Sequence, residues 1–144
     1  MKIPLTILLL QLWMSIAVAA ENITVEISGI KDQLGGNLMV LIFGDQGFPI
    51  KHEKALLTQT KKVTHEAMTF VFEAPSENYL AFKVLHDEDS NHKVTKNWTK
   101  LWPREGLGFS NDLKMGTFGP PVFEAAKITR ALALQGIKLK VVYP

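Results

Sequence analysis

The amino-acid sequence predicts an all-β chain folded as a single β-sandwich of about seven strands, with one long loop region and one short helical turn. Three observations carry that expectation. Short apolar or alternating runs recur from Ile23 to Tyr143. Clusters of Gly, Pro, Asn and Ser stand between them, as they do where a chain turns from strand to strand. Beyond an apolar leader, the remaining chain of about 124 residues is long enough to bury one core and short enough to be one domain.

The elements follow in order. Ile23, Val25 and Ile27 alternate with Thr24, Glu26 and Ser28, the period of two of a half-buried strand. Gly29 and Leu34-Gly35-Gly36-Asn37 supply a turn. Leu38 to Phe43 is apolar without interruption, which predicts a central strand covered on both faces. Gly44 to Pro49 ends that strand, because proline and glycine do not continue a central ladder, and Phe48 is expected at the edge of the core. Ile50 to Leu57 has room for one helical turn. Leu57 to Val63 reads as an exposed strand rich in Lys and Thr, and Ala67 to Phe72 as an aromatic one. Pro75 to Asn78 turns the chain into Tyr79 to His86, whose Leu80, Phe82, Val84 and His86 share a face. Phe123 to Ala126 is expected to form a helical turn, and the alternating run from Ile137 to Tyr143 a closing strand.

Residues 1–20 read as a secretory signal peptide and 21–144 as the domain. Lys2 is followed by an apolar run and by Ala17-Val18-Ala19-Ala20, a basic start, a short apolar core and a small-residue cleavage point. That core is shorter than the roughly 20 residues of a membrane span. The expectation is a periplasmic or secreted protein, with no membrane span after cleavage at Ala19 or Ala20. The chain has no Cys, so neither a disulfide nor a lipid-modified cysteine is available and stability rests on the packed core. The full chain carries 16 Lys and Arg against 14 Asp and Glu. Lys2 alone lies in the leader, which leaves 15 basic and 14 acidic residues and a formal charge of +1. Such a balance, with lysines scattered along the chain, argues against nucleic acid. The mild cluster Lys93, Lys96, Lys100 and Arg104 is explained by a solvated loop.

Chemistry concentrates between Leu85 and Lys127. Asp87, Asp89 and Asn91 stand at alternate positions after an apolar strand. Two readings fit them. Three side-chain oxygens and the Lys93 carbonyl suit a weak calcium loop, although His92 and Trp98 stand where an EF-hand requires Gly and Glu. An Asx-turn, with the same oxygens accepting from nearby backbone N–H groups, needs no cation. His86 ends its strand face at the mouth of this region. Trp98, Trp102 and Phe109 offer aromatic surface for a sugar or peptide platform or, alternatively, for capping the end of the sandwich. Asn22-Ile23-Thr24 and Asn97-Trp98-Thr99 fit the N-glycosylation pattern of a eukaryotic secreted chain.

Three ordered blocks carry a resemblance. His86-Asp87-Glu88 with Asn91, Pro103 to Asn111 with Glu105, Gly106, Gly108, Phe109, Ser110 and Asn111, and Phe118-Gly119-Pro120-Pro121 with Phe123, Glu124 and Ala125 resemble the motifs of DUF2141, a bacterial family of exported domains without an assigned function. The resemblance implies a transthyretin- or prealbumin-like sandwich, implies no reaction and sets the glycosylation pattern aside. The chain departs from it at His92, where the family tends to glycine, and at Thr95, where it tends to an acidic residue. Both changes count against calcium.

Two functional readings stand. The first is an exported, non-catalytic module, binding or structural, whose 85–127 region meets a small ligand or another envelope protein. Its expected site comprises His86, Asp87, Glu105, Gly108, Phe109, Ser110, Asn111, Phe118, Gly119 and Pro120, with Phe109 and Phe118 anchoring the loop; no cofactor is expected beyond weak Ca2+ at Asp87, Asp89 and Asn91. The second is an envelope hydrolase using His86, Asp87 and Glu105. No G-x-S-x-G elbow surrounds Ser110.

Overall fold

A computed structural model describes residues 18–96 and 103–144. The order of elements is β1 (Asn22–Ser28), β2 (Asn37–Phe43), β3 (Leu57–Lys62), β4 (Met68–Glu73), β5 (Tyr79–Asp87), β6 (Gly106–Phe109), α1 (Phe123–Ala126), β7 (Ile128–Thr129), α2 (Arg130–Ala133) and β8 (Ile137–Lys140). They build two sheets. One has the order β4-β1-β8, the other β3-β2-β5-β6 with β7 pairing β5. All pairings are antiparallel except β1 with β8. The signal-peptide reading of residues 1–17 and the aromatic pair Trp98 and Trp102 lie outside the described residues.

The inter-sheet core follows from alternation. Ile23, Val25 and Ile27 of β1, with Phe70 and Phe72 of β4 and Leu139 of β8, face Leu38, Val40 and Ile42 of β2 and Leu80, Phe82 and Val84 of β5. Burial of such side chains is worth about 1.5 to 3 kcal/mol each. The second sheet is buried on its other face as well. There Met39, Leu41, Phe43, Leu85, Leu107 and Phe109 form a second core, against which Phe48, Val94, Leu113 and Met115 pack from the loops. This explains why β2 has no polar face: one side meets a sheet and the other meets loops.

Several expectations required correction. The segment from Gly106 to Phe109 is a strand and not loop, paired to β5 through Lys83↔Phe109 and His86↔Gly106. Its two glycines look like loop residues in sequence, but they are there for close approach. A Cβ on Gly108 would lie 2.3 Å from the Lys140 carbonyl oxygen, and one on Gly106 2.5 Å from Val141. The closing strand ends at Lys140, not Tyr143, and the segment before it contains the short helix α2. The helical turns near Ile50 to Leu57 and at Phe123 to Ala126 are present, the first as a 3-10 turn over His52–Lys54.

Phe109 and Phe118 separate. Phe109 is buried in the second core and edges against Phe48 with ring centroids 6.1 Å apart. Phe118 does not anchor anything: it is fully exposed at the tip of a turn closed by reciprocal Gly116 and Gly119 backbone hydrogen bonds of 2.8 and 3.1 Å. The turn holds the backbone, so the ring is pushed outward. Chemical denaturation should therefore find Phe109→Ala destabilising by about 3 to 5 kcal/mol and Phe118→Ala by no more than about 0.5 kcal/mol.

Candidate functional site

Successive residues of β5 point to opposite faces, so this strand divides the candidate residues. His86 faces the inter-sheet core and is fully buried. Its Nδ1 lies 2.5 Å from the Tyr143 hydroxyl and its Nε2 2.6 Å from the Gly35 carbonyl oxygen. Both ring nitrogens are engaged in holding the chain end and the first turn. Asp87, one residue on, lies on the other side and is also fully buried. Its two carboxylate oxygens accept from the backbone N–H groups of Asn91 and His92 at 3.0 and 2.7 Å. Glu105 accepts from the N–H groups of Glu88 at 3.0 Å and Thr95 at 2.8 Å. Of the three residues of the hydrolase reading, the structure brings Asp87 and Glu105 together and holds His86 on the opposite face of β5, against Tyr143 and Gly35.

The acidic loop has the geometry of an Asx-turn. Carboxylate oxygens of Asp87, Asp89 and Glu105 lie within 4.8 Å of one another. Asn91 does not complete that set as a calcium ligand would. Its amide oxygen accepts from Lys93 N–H at 2.8 Å, which directs its amide nitrogen to Asp89 Oδ2 and to the Thr95 hydroxyl, both at 3.0 Å. Thr95, expected only to weaken a cation site, is a working part of the turn, because its hydroxyl donates to Asp89 at 2.8 Å. That bond holds the Asp89 carboxyl below its ordinary value. Burial pushes the Glu105 carboxyl up, and the neighbouring Asp89 and Asp87 charges add to the rise against the pull of its two N–H donors.

The remaining family blocks latch loops to the sheet. The Ser110 hydroxyl, buried at the end of β6, accepts from Phe82 N–H at 3.0 Å and donates to the Ala126 carbonyl oxygen at 2.6 Å. Asn111 donates to the carbonyl oxygens of Ala125 and Lys127 at 2.9 and 3.3 Å. Gly108 permits β6 to approach the chain end, as described above. These are joints between segments, and among the described residues both hydrogen bonds of the Ser110 hydroxyl are to backbone groups, not to a histidine.

A concave feature lies on the outer face of the second sheet. A cavity of about 700 Å3 opens between that sheet and the loops. Of the expected site residues it takes in Phe109, Gly119 and Pro120, together with Leu107 and Met115 as apolar walls. Pro49, Ile50, His52 and Glu53 close one side, and His92, Lys93, Val94, Lys96 and Pro103 another. Lys83 lies in the floor. It is 3% exposed, and its Nζ donates to the Pro49 carbonyl oxygen at 2.9 Å and meets His52 Nε2 at 2.7 Å. Burial lowers its pKa to about 8. Burial, then the adjacent lysine charge, also lowers that of His52. Neither residue stood out in the sequence. A signal was available, since Lys83 shares its face with Ala81 and Leu85 in an otherwise apolar strand.

Two stability measurements check this description. Asp87→Ala leaves the His92 N–H without its charged acceptor, while the Asn91 N–H keeps Asp89 Oδ1 at 3.1 Å, and should cost about 1.5 to 3 kcal/mol in urea unfolding. Lys83→Met should do the opposite. The fall from the ordinary lysine value to about 8 represents a penalty of roughly 3 kcal/mol, of which the two lost hydrogen bonds return about 2 kcal/mol. A lysine with a lowered folded-state value carries its full penalty below about pH 8, where both states are protonated; as pH rises further the unfolded state holds the extra proton and the penalty fades. The variant should gain about 1 kcal/mol at pH 7 and lose that gain by about pH 9, where the remaining penalty no longer exceeds the two lost hydrogen bonds.

No curated protein and no solved structure matches the chain. The family described as "Uncharacterized protein conserved in bacteria (DUF2141)" matches residues 25–136. That span runs from within β1 through β7 and takes in the acidic turn, the Ser110 and Asn111 latches and the floor and walls of the cavity. This chain belongs to the DUF2141 family.

Proposed function

We propose that the protein is an exported, non-catalytic binding module of the bacterial envelope, and that the pocket on the outer face of its second sheet holds a small, largely apolar molecule. The transthyretin-type sandwich of the family resemblance serves in this reading as a rigid scaffold. The observation that carries the proposal is the cavity of about 700 Å3. Small-molecule sites typically measure about 300 to 1,000 Å3 and combine apolar walls with a few placed polar groups. Leu107, Phe109 and Met115 supply walls and Lys83 and His52 the polar floor. The leader-like residues 1–20 support export.

A protein partner is the weaker form of the reading, because a concave pocket suits a ligand that can enter it. The acidic turn has no part in it: its oxygens are committed to backbone and hydroxyl donors.

Binding of a neutral, apolar fluorescent probe such as N-phenyl-1-naphthylamine tests the proposal. The folded protein should give a saturable, single-site fluorescence rise. Met115→Trp fills the cavity from its wall and should weaken the probe at least about tenfold, since a bulky ring in the pocket displaces ligand area. Its unfolding midpoint should stay near that of the wild type. Absence of saturable binding, or equal binding by Met115→Trp, overturns the pocket reading.

A further inference from the structure

The cavity floor limits the chemistry of what the pocket can take. An ammonium has three N–H donors. Lys83 directs one to the Pro49 carbonyl oxygen and another to His52 Nε2. His52 Nδ1 lies 3.4 Å from the His92 carbonyl oxygen, so the proton on Nδ1 leaves Nε2 as the acceptor for the lysine. The third Lys83 donor has no protein acceptor among the described residues, and the ion pairs there are His92 with Asp87, Lys127 with Glu124 and Arg130 with Glu21. A buried cation without a counter-charge is costly. Around the opening stand His92, Lys93 and Lys96, and Glu53 is the single acid among the lining residues.

We propose that the pocket selects a small apolar acid, its carboxylate accepting the third N–H of Lys83 and its hydrocarbon lying against Leu107, Phe109 and Met115. This rests on the pocket reading above and gives it a ligand class. One remaining donor on a point charge fits one oxygen of a monoanion; among the described residues no arginine fork lines the cavity to grip a phosphate on two sides. The ligand replaces the missing counter-charge. It thereby offsets the penalty that a lysine in an apolar floor imposes on the empty protein, which gives this otherwise destabilising residue a use.

The charge state of Lys83 sets the pH dependence. The groups around it are His52 and the Pro49 carbonyl in direct contact, and Glu53, His92, Lys93 and Lys96 about the cavity. With Lys83 titrating at about 8, the preference for an acid is nearly complete at pH 7 and declines as the amine loses its proton, whereas a neutral ligand is indifferent.

Calorimetric titration of the purified protein with decanoate and with decan-1-ol separates headgroup from chain. The wild type at pH 7 should bind decanoate at least about tenfold more tightly than the alcohol, the value of one charge-assisted hydrogen bond, and the ratio should shrink by pH 9.5. Lys83→Met should keep alcohol binding and bring the ratio to about one. Lys93→Met/Lys96→Met should keep the tenfold preference. A wild type without preference, a preference that survives Lys83→Met, or one that disappears with Lys93 and Lys96 overturns the assignment of the acid to Lys83 and leaves the pocket reading standing. If neither decanoate nor decan-1-ol binds, the pocket reading falls and the acid assignment falls with it.

Discussion

Strands β2 and β5 bury both faces, and much of the architecture answers that constraint. On the inner side the three-stranded sheet covers Leu38, Val40, Ile42, Leu80, Phe82 and Val84. On the outer side no second sheet is available, so Met39, Leu41, Phe43 and Leu85 are covered by β6 and by loop residues Phe48, Val94, Leu113 and Met115. Loops cover a sheet less completely than another sheet does, because their backbone polar groups must also find partners. The space left over becomes the cavity. Its position is a consequence of which face had only loops to cover it.

The polar and glycine residues of the first two sequence blocks make sense as the fastenings of that cover. Asp87 and Glu105 satisfy backbone N–H groups of the loop that follows β5. Ser110 and Asn111 tie the end of β6 to the segment around α1. Gly106 and Gly108 let β6 press against the chain end, and His86 binds that end through Tyr143. Buried polar groups of this kind are held because leaving any one unpaired costs more than the bond contributes when made. Motif residues that suggest catalysis in a linear sequence can thus be joints. The chemistry instead gathers at Lys83 and His52, in a strand and a turn that the blocks only help to enclose.

Among the described residues, Lys83 is a place where local consistency fails. Ala81 and Leu85 share its face, the neighbouring strands supply apolar side chains, and its ammonium is buried without an opposite charge among the described residues. Departures of this sort from an otherwise consistent sequence are expected where a protein binds or reacts. His52 keeps the amine oriented and itself stays short of a proton, since burial and the lysine charge both disfavour its cationic form.

The sequence by itself determined the β class, the order and approximate bounds of β1 to β5, the doubly buried character of β2 and the placing of His86 at the end of a core face. These are readable because strand alternation is local: each residue's face follows from its neighbours two positions away. The acidic turn was legible for the same reason, as Asp87 and Asp89 bond donors within five residues of themselves. Only the tertiary structure decided that Gly106 to Phe109 is a strand, that Phe109 is buried while Phe118 is exposed, and that Glu105 joins Asp87 and Asp89 in place of Asn91. Each depends on contacts between segments distant in sequence, such as Gly108 against Lys140. The cavity belongs to the same class. It is the gap between a sheet face and three separate chain segments, and alternation along β5 could place Lys83 on a face but could not say that no acid among the described residues would pair with it.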